Sequence, residues 1–161
     1  MVVESIIIAV AVVISAFIIN GIEDYKARSN KISFKEAMDL AELPIVTFYN
    51  EGAKFNFILD SGASLSVIDS GIINSFPHIK SDDSGTLFGM EGNKVDVSYV
   101  EANIKHKDTT YNELFQVVDM SAPFGTLKEE FGVNIHGILG NSFFKKYKYI
   151  LDFDELIAYH K

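Results

Sequence analysis

From Pro44 onward the sequence breaks into short β-branched and aromatic runs separated by turn residues, and no other feature restricts the body of the chain as much. Pro44 is itself a boundary, because proline pushes the residue before it out of the helical region. The run Ile45-Val46-Thr47-Phe48-Tyr49, the turn residues Asn50-Glu51-Gly52 and the run Ala53 to Leu59, with Phe55 and Phe57 on one face, predict a hairpin. Ser66-Val67-Ile68 is a third short run. Ser70 to Phe76 offers an N-cap serine and apolar Ile72, Ile73 and Phe76 before Pro77, which predicts a brief helix. A second hairpin has Gly85 to Phe88 and Lys94 to Ile104 as arms and Gly89-Met90-Glu91-Gly92-Asn93 as its tip. Tyr111 to Asp119 reads as a strand, and Ser121 to Gly132 as a loop because it contains Pro123 and Gly125. Ile135 to Leu139 is a short apolar run and Asn141 to Tyr147 a short helix, and Tyr149 to Phe153 and Leu156 to His160 are closing strands. Many short strands with turns at close intervals imply a compact all-β barrel carrying one or two short helices.

The N-terminal part follows different rules. No residue from Ser5 to Ile22 is charged, and Ile6 to Ile14 and Ala16 to Ile19 are apolar throughout. As a helix this stretch is roughly 27 Å long, against a bilayer core of about 30 Å. Residues 1–22 are therefore expected to form a transmembrane anchor that crosses the lipid bilayer once. A cleaved signal peptide fits less well, since Met1-Val2-Val3-Glu4 lacks Lys and Arg and no A-x-A site follows; a buried or dimerising soluble helix is the third reading. Lys26, Arg28, Lys31 and Lys35 follow the run and none precedes it, which puts the C-terminal body in the cytoplasm. Residues 23–43 read as a juxtamembrane stalk, partly helical, with Phe34, Ala37, Met38, Ala41 and Leu43 as its inner positions. Residues 44–161 form the single folded domain.

Composition removes several kinds of chemistry. A formal charge of −8, with no Lys/Arg cluster beyond pairs such as Lys145-Lys146, is the wrong field for nucleic acid. The absence of cysteine excludes disulfides, thiolate nucleophiles and cysteine-based zinc sites. His78, His106, His136 and His160 show no H-E-x-x-H or related spacing, so no metal and no cofactor is expected. There is no G-x-S-x-G elbow for a serine hydrolase.

One element carries chemistry. The apolar run Phe55 to Leu59 delivers Asp60 into a turn of small residues, Ser61-Gly62-Ala63-Ser64. A buried strand holds such a carboxylate rigidly, Gly62 permits close backbone approach, and the hydroxyls of Ser61 and Ser64 can hydrogen-bond nearby without filling a cleft. Asp-Ser-Gly occurs three times, at Asp60, Asp69 and Asp83. Asp83 lies in the polar run Lys80 to Gly85 and reads as a turn residue, and Asp69 follows only a three-residue strand and reads as a helix cap. Asp60 is the candidate catalytic acid.

The element Asp60-Ser61-Gly62-Ala63-Ser64 resembles the active-site signature of aspartic proteases, and His136-Gly137-Ile138-Leu139-Gly140 resembles their later Ile-Leu-Gly element. Together with the short helix and closing strands that follow, the resemblance to retroviral-type proteases spans roughly residues 45–160. It implies a closed retropepsin-like acid-protease barrel, with Ser61, Gly62, Ala63, Ser64, Gly137, Ile138, Leu139 and Gly140 supporting the active site. It also implies a substrate-covering flap at Phe88, Gly89, Met90, Glu91 and Gly92, although the viral flap's denser glycine run is absent. Such an enzyme hydrolyses peptide bonds in a peptide or protein substrate with water activated between two carboxylates that share one proton. Only one acid has the right strand context here, so the second must come from another copy and the expected enzyme is a homodimer. The alternative is a catalytically inactive retropepsin-like dimerisation or peptide-binding module at a membrane.

Overall fold

The computed structural model describes residues 30–88 and 94–160, together with Ser15. The first hairpin forms as the sequence predicts. Strand β2 (Ile45–Asn50) pairs antiparallel with β3 (Ala53–Leu59) from Ile45↔Ile58 to Asn50↔Ala53. Both turn residues, Glu51 and Gly52, have positive φ (46° and 87°), the geometry that matches the twist of a two-residue hairpin. β4 (Ser66–Asp69) runs parallel to β7 (Thr109–Val118) and antiparallel to β8 (Gly137–Leu139), which in turn is parallel to β3. β6 (Lys94–His106) joins β7 along its whole length and reaches β2 through Tyr49↔Lys105. The order β2-β3-β8-β4-β7-β6 thereby closes on itself as a six-stranded barrel, with β5 (Ile79–Phe88) added outside β6. Closure leaves the six barrel strands no long free edge.

Rings fill the interior. Phe48, Phe57, Phe115, Phe143, Tyr111, Ile104, Ile68 and Leu139 are essentially inaccessible to solvent. Phe48 meets Phe57, Tyr111 and Phe143 edge to face at 5.7–6.1 Å, the arrangement that ring quadrupoles favour. Along β6 the buried side changes phase: Val97 is buried, then Val100, Ala102 and Ile104, while Ser98, Glu101 and Asn103 face water.

Three local expectations are corrected. Ser121–Phe131 is an α-helix and not a loop. Pro123 sits in its first turn, where a missing N–H costs nothing, and Phe124, Leu127 and Phe131 supply an i, i+3, i+7 stripe that packs with Ala41, Ile45 and Ile135. Asp83 belongs to strand β5, at an irregularity between Lys80 and Ser84. Finally, part of the expected stalk is built into the fold. Ile32–Ser33 (β1) pairs with β10 (Ile157–His160), which pairs with β9 (Tyr149–Asp152), and Phe34 is 1% exposed in the main core. The helix Lys35–Ala41 follows directly. Among the described residues no helix is long and apolar enough to cross a membrane; the expected anchor over residues 1–22 falls outside them apart from Ser15.

Candidate active site

Asp60 leaves the barrel at the end of β3. Phe57 and Leu59 are buried (0% and 2% exposed) and tie the strand to the core, each burial being worth about 1.5–3 kcal/mol. Asp60 itself is half-buried and donates its backbone N–H to the Leu139 carbonyl at 3.0 Å. Its Oδ1 accepts the Gly62 N–H at 2.8 Å, and a Cβ on residue 62 would stand 3.1 Å from that same oxygen. Gly62 is therefore the residue that lets the backbone close on the acid. Ser61, Gly62, Ser64 and Leu65 are exposed, so the turn presents its small residues outward.

The wall behind the turn is the Ile-Leu-Gly element. β8 lies between β3 and β4, pairing Ile58↔Ile138 and Leu59↔Leu139 on one side and Val67↔Ile138 and Ile68↔Gly137 on the other. Its glycines are steric requirements. A Cβ on Gly137 would lie 2.9 Å from the Phe57 ring and collide with the Val67 carbonyl oxygen; one on Gly140 would lie 2.7 Å from the Leu65 carbonyl carbon and 2.9 Å from the Ala63 oxygen. The helix Asn141–Tyr147 then grips the turn: the N–H groups of Asn141 and Ser142 donate to the carbonyls of Ala63 (2.8 Å) and Ser64 (3.1 Å), and Asn141 Nδ2 donates to the Ser61 carbonyl at 2.6 Å. Asp60 to Ser64 and Gly137 to Gly140, 73 or more residues apart in sequence, are thus one unit.

The rival acid has a different occupation. Asp69 is 9% exposed and its Oδ1 accepts the Met120 N–H at 2.9 Å, at the start of the helix Ser121–Phe131. It makes no side-chain bond to its own 3-10 turn, Ser70–Ser75, so it caps a different helix from the one the sequence suggested. Nearby, His136 Nδ1 accepts the Asn56 N–H at 2.9 Å, and burial holds the ring below the usual histidine range. Phe88 ends β5 opposite Lys94, which puts it at the mouth of the second hairpin; Gly89, Met90, Glu91 and Gly92 lie outside the described residues. Among the described residues no group of three or more His, Asp or Glu side chains is placed to hold a metal. Two clefts, of about 500 and 320 Å³, lie on other faces, and neither is lined by any of residues 60–64.

Sequence reasoning missed the layer beneath the turn. Glu113, 1% exposed on β7, accepts hydrogen bonds from Ser66 and Ser142, and no local pattern announces three residues that meet across 47 and 29 positions. A glutamate at an inward position of a strand was the one available signal.

The fold and site define a closed β-barrel that presents one strand-borne aspartate on an exposed small-residue turn. No protein-family model matches the chain, and no curated protein does. Among solved structures it is similar to EIAV protease complexed with the inhibitor HBY-793, at 20% sequence identity and a TM-score of 0.48, over 67% of this chain and 90% of that one.

Proposed function

We propose that the chain is an aspartic-type endopeptidase that works as a homodimer, with one Asp60 from each copy. The observation that carries this reading is the seat of Asp60: a carboxylate on a rigid strand end, locked by Leu139 and Gly62, in a turn whose outward face is open. One acid of the pair, protonated, polarises the scissile carbonyl, while the other, ionised, takes a proton from the attacking water. Two carboxylates brought together cannot both ionise readily, so they share that proton. The exposed Ser61, Gly62 and Ser64 leave room for a second turn to approach. The hairpin of β5 and β6 serves as the flap over bound peptide, and residues 1–22 anchor the enzyme in a membrane with its domain in the cytoplasm. Confinement to two dimensions raises the effective concentration of protomers and favours the pair.

The test is incubation of the purified protein with a peptide library, with and without a statine inhibitor. Cleavage that the inhibitor abolishes is the expected result. Capture of intact peptides without cleavage assigns the chain to the non-catalytic binding module instead.

A further inference from the structure

The geometry points to Glu113 as the residue that positions the Asp60 turn. This deepens the protease reading and rests on it. Glu113 projects from β7 into the space between the start of β4 and the helix Asn141–Tyr147, where a single oxygen, Oε1, accepts both the Ser66 hydroxyl (2.8 Å) and the Ser142 hydroxyl (3.0 Å). Each hydroxyl has one proton, and the carboxyl claims both. The two seryl oxygens, 3.3 Å apart, are left to accept. Ser66 Oγ accepts the Gly140 N–H at 3.2 Å, and Ser142 Oγ accepts the Ser66 N–H at 3.2 Å. Glu113 therefore takes both hydroxyl protons and leaves the two seryl oxygens free to accept the Gly140 and Ser66 N–H groups.

Those bonds join the two ends of the catalytic turn. Ser66 opens β4 two residues after the turn, and Gly140 follows Leu139, whose carbonyl receives the Asp60 N–H. Asn141 and Ser142 hold the Ala63 and Ser64 carbonyls. A buried acceptor that accepts from two hydroxyls fixes the spacing between β4 and the helix, and so the height at which Asp60 stands. A core side chain kept only for its volume has no need of an acceptor here. Lys146, whose ammonium donates to the Asn112 carbonyl, is the charged group facing Glu113 from the helix.

The experiment compares Glu113→Gln, which keeps an acceptor at Oε1, with Glu113→Met, which keeps the length and removes it, in the full chain. Readouts are kcat and KM on a fluorogenic peptide selected with the wild-type protein, and amide hydrogen exchange at Asp60, Gly140, Asn141 and Ser142 against Val46 and Phe55 in the β2–β3 hairpin. Expected for Glu113→Met is a kcat at least tenfold lower with KM within twofold, and exchange at least tenfold faster at the four turn-side amides alone. Glu113→Gln restores both to within threefold. Unchanged exchange and kcat in Glu113→Met overturns the inference, as does acceleration spread evenly over the barrel. If Glu113→Met does not fold, Ser142→Ala removes one arm of the clamp and is read in the same way. Should the wild type cleave nothing, the protease reading fails on that result, while the exchange comparison still decides whether Glu113 fixes the turn.

Discussion

Replacing Gly140 by alanine tests the geometry that seats the candidate acid. The new methyl would stand 2.7 Å from the Leu65 carbonyl carbon and 2.9 Å from the Ala63 oxygen, with the Leu65 oxygen closer still. Relaxed carbon–carbon contacts lie near 3.5 Å, so strands must part by roughly 1 Å. The atoms in the way are all backbone, held by the Asn141 N–H to Ala63 carbonyl bond and by Ser66 N–H to Ser142 Oγ, and cannot swing aside as a side chain does. Overpacking of this kind costs about 1–3 kcal/mol, and one or two weakened hydrogen bonds add about 1 kcal/mol each. The sum, about 2–5 kcal/mol, is a large part of the 5–15 kcal/mol roughly typical of a domain. Gly125→Ala is the matched control. It lies within the helix Ser121–Phe131, its Cβ would meet nothing within 4 Å, and it should stabilise by about 0.5–1 kcal/mol. Urea unfolding followed by far-ultraviolet circular dichroism measures both, with a slope of about 1.5 kcal/mol/M turning the Gly140→Ala loss into a midpoint lower by roughly 1.3–3.3 M. A Gly140→Ala midpoint within about 0.3 M of wild type, or an equal loss in Gly125→Ala, would refute the steric argument.

Two further outcomes follow from named contacts and a third from the uncharged run Ser5 to Ile22. Burial raises the Glu113 carboxyl above its ordinary value of 4.5, opposed by the Ser66 and Ser142 hydroxyls and the Lys146 charge. The native state therefore holds a proton that the unfolded chain releases, and this contribution is complete below pH 4.5 and lost as pH rises through the native value. Urea midpoints from acid to neutral pH should show Glu113→Gln gaining on wild type as pH rises; a constant difference contradicts the assignment. Asp69→Ala removes the acceptor for the Met120 N–H and should cost about 1–2 kcal/mol while proteolysis persists, since that carboxylate faces a helix start. Full-length protein should pellet with carbonate-washed membranes and keep its N-terminus; a soluble product beginning near Asn20 would replace the anchor with a cleaved signal peptide.

The elements legible in the sequence are those whose cause is local. Ile45 to Leu59 declares a hairpin through β-branched and aromatic alternation around Asn50-Glu51-Gly52, and Asp60 to Ser64 and Gly137 to Gly140 declare close approach through their small residues. What stayed hidden depends on distance along the chain. The helix Ser121–Phe131 was masked by Pro123 and Gly125, whose usual meaning is overridden by first-turn placement and by packing of Phe124 against Ala41 and Ile45. Ile32–Ser33 is too short to announce a strand and gains its place only from Ala158 and Ile157, over a hundred residues later. The cluster of Ser66, Glu113 and Ser142 has no local signature, because its members become neighbours only when β7 lies beside β4.

The central claim is that each active site uses one Asp60 from each of two copies, and subunit mixing tests it most directly. Asp60→Asn keeps the shape and the acceptor for Gly62 but cannot exchange the shared proton, so the variant alone should fold, pair and lose several orders of magnitude in kcat. Equal amounts of wild-type and variant protomers, allowed to exchange freely, pair statistically in about a 1:2:1 ratio. With every mixed pair dead, activity per total protomer should fall to about one quarter of the wild-type value. A value of about one half means that each protomer works alone, and full activity in Asp60→Asn itself means that Asp60 is not the acid.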